Sequence, residues 1–99
     1  MSLRILLILL SIPSTTLAIS PDALSYYEEG AVYYDNHQYE MAIRAFDIAI
    51  TIDPDFAEAY TNRGIVYNDL GDKLKAIEDL KVGCQKGDRA GCISLYIIA

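Results

Sequence analysis

From Pro21 onward, apolar residues in this chain recur every three or four positions, the period of helices that each bury one stripe. Ser20-Pro21-Asp22 reads as a helix start: a hydroxyl at the cap, proline at the first helical position and an acid in the first turn. That helix runs to about Asn36 with Tyr26, Gly30 and Tyr33 on one stripe. Asn36-His37 stops it, because Asn and His are among the few non-glycine residues that enter the left-handed region readily. A second helix spans about Tyr39 to Ile52, where Ala42, Ala45/Phe46 and Ala49 recur at helical spacing. Asp53-Pro54-Asp55 ends it, since the residue before proline is pushed out of the helical region. A third helix, about Phe56 to Leu70, stops at Gly71-Asp72. A fourth, about Lys73 to Lys86, stops at Gly87, and a short fifth covers about Arg89 to Ile98. Five helices joined by short turns leave no room for a sheet, so the expected fold class is all-α.

Shifting the chain on itself by 34 residues returns the same punctuation. Ala23, Tyr26, Gly30, Val32, Tyr33, Asp35, Ala42 and Ile43 meet Ala57, Tyr60, Gly64, Val66, Tyr67, Asp69, Ala76 and Ile77. A period of this length marks a helical repeat, and such repeats stack into arrays that bind rather than catalyse. Gly30 and Gly64 fall where the first helix of each unit must approach the second closely, with Ala42 and Ala76 as the facing small surfaces. The tyrosines and Phe46 are expected to fill the wedge between helices.

The first unit supplies Tyr26, Gly30, Tyr33, Ala42, Phe46, Ala49 and Pro54 in order. The second supplies Tyr60, Gly64, Tyr67, Ala76, Leu80 and Gly83, with Asp88 where a proline would stand. This arrangement resembles the tetratricopeptide repeat. The resemblance implies a right-handed α-solenoid of two helix-turn-helix repeats, residues 23–56 and 57–88 within a domain of 19–88, followed by a capping helix over 89–99. It also implies that the first helices of the repeats line a concave surface that grips a peptide or protein segment. Carried over by position, that surface is Tyr27, Ala31, Tyr34 and Asp35 from the first repeat. The second repeat adds Thr61, Asn62, Ile65, Asn68 and Asp69. Asn62 stands where members of the family hold a ligand's backbone amide, and an amide side chain can both donate and accept. Tyr27 and Ala31 stand where one subfamily clamps a terminal carboxylate with Lys and Arg, so that clamp is absent. A mildly acidic, tyrosine-rich groove suits a neutral or basic segment with apolar anchors.

The 34-residue register dissolves after Gly83. The tail Gly83-Cys84-Gln85-Lys86-Gly87-Asp88-Arg89-Ala90-Gly91-Cys92 is similar to exported Sel1-like, cysteine-rich repeats, in which cysteines eight positions apart join neighbouring helices. Cys84 and Cys92 are expected to pair, the alternative being two free buried thiols; a redox pair would call for Cys-x-x-Cys spacing. Such a bridge would tie the capping helix to the second repeat and stabilise the fold by about 2–3 kcal/mol.

Ahead of the repeats, Arg4 and the amino terminus precede an unbroken apolar run, Ile5–Leu10, and Leu17-Ala18 supplies a small-residue exit. Residues 1–18 therefore read as a secretory signal peptide cleaved after Ala18, giving a periplasmic or secreted protein, the alternative being an uncleaved membrane anchor. The run falls short of the roughly 20 residues a membrane-spanning helix needs. The formal charge of the chain is −6 and every acidic residue lies beyond Ala18, a balance that disfavours nucleic acid and anionic lipid as partners.

Catalytic chemistry finds no support. His37 is the one histidine and sits in a turn; Ser25 and Ser94 lack a histidine at a plausible position. Gly30, Gly64 and Gly71 are spaced for packing and turns, not for a phosphate loop. Glu28-Glu29 and Glu78-Asp79 read as solvated helix faces. The expected function is an exported protein–protein interaction adaptor with no cofactor and no metal. Its rivals are a self-assembling structural solenoid unit stacked end to end, and a cell-envelope enzyme of Sel1-like type.

Overall fold

A computed structural model of the chain describes residues 19–99; the expected signal peptide and its cleavage after Ala18 lie outside the described residues. Among these residues there are five helices and no strand: α1 Pro21–Asp35, α2 Tyr39–Ile52, α3 Ala57–Asp69, α4 Lys73–Gln85 and α5 Arg89–Ile98. The α1 and α2 helices form one hairpin, α3 and α4 a second, and α2 packs on α3 to stack them. The α5 helix packs on α4 and touches α3.

Each unit buries one stripe of its second helix. In α2 the buried residues are Ala42, Ala45, Phe46 and Ala49; in α4 they are Ala76, Asp79, Leu80 and Gly83, the same four positions 34 residues on. Small residues at three of these in α2 and at two in α4 let the helices close on a single large side chain, Phe46 or Leu80, both fully buried. Burying each contributes about 1.5–3 kcal/mol. The space is filled to contact. A Cβ at Gly30 would sit 2.7 Å from the Phe46 ring, and one at Gly64 would sit 3.1 Å from the Ala76 carbonyl oxygen and from Leu80. Two apolar clusters result. Ala23, Ala49, Phe56 and Ala59 make one, Ala42, Phe46 and Val66 the other, and Tyr27 packs against both.

Three turns share one hydrogen-bonding pattern. Gln38 N–H donates to the Tyr33 carbonyl, Asp72 N–H to Tyr67 and Asp88 N–H to Gly83, each at 2.9 Å. A second bond sits inside each, from His37 to Tyr34, Gly71 to Asn68 and Gly87 to Cys84. This is the paired closure that ends a helix on a left-handed residue, and that residue is His37 at φ 60°, Gly71 at 87° and Gly87 at 105°. His37 thus does with a side chain what glycine does in the other two turns. Asp72 and Asp88 then cap the following helices, accepting from the Lys75 and Ala90 N–H groups at 3.2 Å each. Ser20 stands at the cap of α1 but its hydroxyl makes no capping bond. Its carbonyl accepts from Leu24 at 3.0 Å, and Pro21 presets the first helical residue.

The α2–α3 link is built differently. Asp53 leaves the helix extended, its side chain accepts from Asp55 N–H at 3.1 Å, and Phe56 drops into the core at 3 % exposure. Because α4 and α5 are joined by the hairpin kind of turn, the alternation of turn and link stops there. Cys84 and Cys92 are disulfide-bonded with their Cα atoms 4.6 Å apart, which holds Gly91 against Thr61 and the Cys84 backbone.

Candidate functional site

Two hydrogen bonds that each span 35 residues tie α1 to α3. Asn62 Nδ2 donates to the Tyr27 hydroxyl at 3.0 Å, and the Tyr34 hydroxyl donates to the Asp69 carboxylate. Equal sequence separation at both points sets α1 and α3 side by side and parallel. The Tyr27 ring is fixed from beneath by Phe56 and Phe46, with centroids 4.9 and 5.8 Å away. Tyr34 is flanked by Tyr39 at 5.6 Å.

Between the two bonds lies a cleft of about 200 Å³ lined by Ala31, Tyr34, Asp35, Phe46, Asn62 and Ile65. Five of these six are residues that the resemblance to the tetratricopeptide repeat implies for the ligand-facing surface. Phe46 is the sixth; it comes from α2 and forms the floor, where its helical stripe marked it for the core. Tyr27 and Asp69 brace the walls through their bonds to Asn62 and Tyr34. Asn68 is exposed at the end of α3 and does not line the cleft.

Thr61 departs from its expected place. It is 1 % exposed, its hydroxyl forms no hydrogen bond, and it fills the space left by Gly83 and Gly91. The bulk of Tyr27 occupies the equivalent position in the first repeat; with threonine there, α4 and α5 close over the side chain.

The hydroxyls report on this environment. The Tyr34 pKa is pushed up to about 12, first by its bond to Asp69, then by burial and by the charges of Asp69 and Asp35. Burial raises that of Tyr27; the Asn62 bond opposes the rise, and the charges of Glu58 and Asp88 add to it. Among the described residues the Tyr27 bond is the one side-chain bond Asn62 makes.

A larger cleft, of about 450 Å³, lies where α2 meets the second hairpin, lined by Asp47, Ile50, Thr51, Arg63, Tyr67, Lys75, Glu78 and Asp79. Three of its charged groups pair with one another. The Arg63 guanidinium grips Asp79 with two bonds of 2.7 and 2.8 Å and reaches Asp47 at 2.7 Å. Asp79 is therefore no solvated residue. It is 5 % exposed, at the position of buried Ala45 one repeat earlier, and that correspondence was legible in the 34-residue register. We read this cleft as a structural joint, because its charged centre is already closed by three hydrogen bonds. Arg63 also lies over the Tyr60 ring at 5.7 Å, and Lys75 over Tyr67 at 5.4 Å. A third cleft, of about 210 Å³, is lined by Tyr26, Glu29, Tyr33, Met41, Arg44, Ala45 and Ile48 on the outer face of the first hairpin.

Residues 30–71 match the family model described as TPR repeat, from the middle of α1 through α2 and α3. The chain is also 40 % identical over 48 residues to a probable UDP-N-acetylglucosamine–peptide N-acetylglucosaminyltransferase of Arabidopsis thaliana. That alignment covers 48 % of this chain and 5 % of the transferase.

Proposed function

We propose that this chain, a tetratricopeptide-repeat protein over residues 30–71, is an exported scaffold that holds an extended peptide or protein segment in the cleft between α1 and α3. Repeats of this family are non-catalytic protein–protein interaction modules that present a surface built by stacking. The observation that carries the reading is the cleft itself. Its walls are braced by the Tyr27–Asn62 and Tyr34–Asp69 bonds, its floor is apolar, and Asn62 lines it. Export rests on the pattern of residues 1–18; among the described residues no helix is long and apolar enough to cross a membrane. The transferase activity belongs to a protein of which this chain matches 5 %, and the reading for this chain carries no catalytic step and no cofactor.

The test is capture from envelope and medium fractions by the purified chain and by the Asn62→Ala/Tyr34→Ala variant. Capture should be lost while the helical circular-dichroism signal remains; equal capture by the variant would sink the cleft assignment. A second reading, end-to-end stacking of copies, is favoured by one observation. Val32 is 57 % exposed, whereas Val66, its counterpart one repeat on, is 1 % exposed beneath α2. Sizing across a concentration series separates the two readings: a monomer at every concentration argues against stacking.

A further inference from the structure

Resting on the cleft reading above, we infer that the segment held there is basic: a Lys or Arg side chain seated between Asp35 and Asp69, next to an apolar residue lodged over Phe46. The two helices that wall the cleft are strongly unbalanced in charge. The α1 helix contains no Lys or Arg. The α3 helix contains one, Arg63, and its guanidinium is committed to Asp79 and Asp47 in the other cleft. None of the described Lys and Arg residues lines the concave cleft.

The placement of the acids sharpens this. Asp35 is the last residue of α1 and Asp69 the last residue of α3. A helix C-terminus carries the negative end of the backbone dipole, where a cation is favoured and a carboxylate opposed. Neither helix has a basic residue in its last turn. Two parallel helices thus bring two carboxylates and two negative helix ends to one side of the cleft. The Tyr34 hydroxyl satisfies one Asp69 oxygen by hydrogen bonding but supplies no positive charge. A ligand cation at this edge would meet both carboxylates with the last-turn carbonyl groups behind them. Beside this edge Ala31, Phe46 and Ile65 offer an apolar seat of about 200 Å³, room for one aliphatic side chain. Charge complementarity therefore selects a segment that pairs a basic residue with an apolar one over an acidic segment.

The probe is three pools of labelled peptides, each with one fixed leucine and degenerate outer positions, and with the leucine flanked by Lys/Arg, by Gln or by Glu. Binding to the purified full chain is read by fluorescence anisotropy at low and high salt. The basic pool should bind tightest, weaken as salt rises, and lose about three- to fivefold in affinity with Asp35→Asn, the scale of one exposed ion pair. Ile65→Lys, which sets a cation in the seat, should remove binding of the basic pool. If the Gln or Glu pool binds as tightly as the basic one and Ile65→Lys still removes it, the basic class is overturned and the cleft reading stands. If no pool binds, or Ile65→Lys changes nothing, the cleft reading falls and this inference with it. Circular dichroism of both variants confirms that they fold.

Discussion

Arg63 makes three charge-assisted bonds to two carboxylates from two different helices, and the cost of losing it is set by how deeply those carboxylates lie. The Asp79 side chain is 7 % exposed and that of Asp47 is 49 % exposed, so only Asp79 is left stranded when the guanidinium goes. Arg63→Ala should therefore destabilise the protein by roughly 3 kcal/mol in urea titration, the scale of breaking a buried pair from one side. Adding Asp79→Ala should recover part of that loss, because the stranded charge leaves with it. Tyr34 gives a second residue-level outcome. Its hydroxyl favours the neutral form in the fold, with a pKa of about 12 against the ordinary 10.0. The bond to Asp69 is thus fully present below pH 10 and lost as pH rises through 12. Alkaline difference spectra should show one tyrosine ionising near pH 12, and Tyr34→Phe should remove that step. A wild-type titration complete by pH 10.5 would contradict the bond.

The helices are short, 10 to 15 residues each, a length at which isolated helices are marginal in water. They persist because each closes on its neighbour and each end is finished by a turn or a staple. The α5 helix shows this best. It exposes Ile93, Tyr96 and Ile97, at 55, 88 and 75 %, and buries Gly91, so little apolar area holds it to α4. The Cys84–Cys92 bond closes a loop with a sequence separation of 8, worth about 2–3 kcal/mol through the unfolded chain. Reduction, or the Cys84→Ser/Cys92→Ser double variant, should lower stability by about that amount. In hydrogen exchange the increase should be confined first to α5 and to the α4 residues beneath it; uniform loosening of all five helices would mean that α5 is not a separately held element.

The described residues form a two-unit array with unlike ends. In the interior, Val66 is covered by α2; at the first end its counterpart Val32 faces outward. Val66→Asp should unfold the chain or cost several kcal/mol as a charge placed in the core. Val32→Asp should change stability by no more than about 0.5 kcal/mol, with chemical denaturation as the measure. If both variants were equally destabilising at low protein concentration, the first end would already be covered by the protein itself. The cleft with Asp35 and Asp69 at its helix ends belongs to this scale too, since it arises from α1 and α3 together and from neither helix alone.

Much of this was legible in the residues. The cap and breaker residues, Ser20-Pro21, Asn36-His37, Asp53-Pro54, Gly71 and Gly87, set the helix boundaries to within a residue or two. The 34-residue register paired Gly30 with Gly64, both at close approaches, and the resemblance to the tetratricopeptide repeat implied one surface for Ala31, Tyr34, Asp35, Asn62 and Ile65, which line one cleft. These are local or periodic properties, and a helix presents residues of fixed spacing on one side whatever it packs against. Tertiary structure decided the rest. Phe46 becomes a cleft floor only because α1 and α3 leave a gap above it, and Thr61 is buried only because α4 and α5 close where glycine replaces a side chain. Asp79 is charged and yet inside because a guanidinium from another helix reaches it. Sequence alone determined which residues share a helix face. Only packing, which depends on distances between chain segments far apart in number, decided which of those faces met protein and which met water.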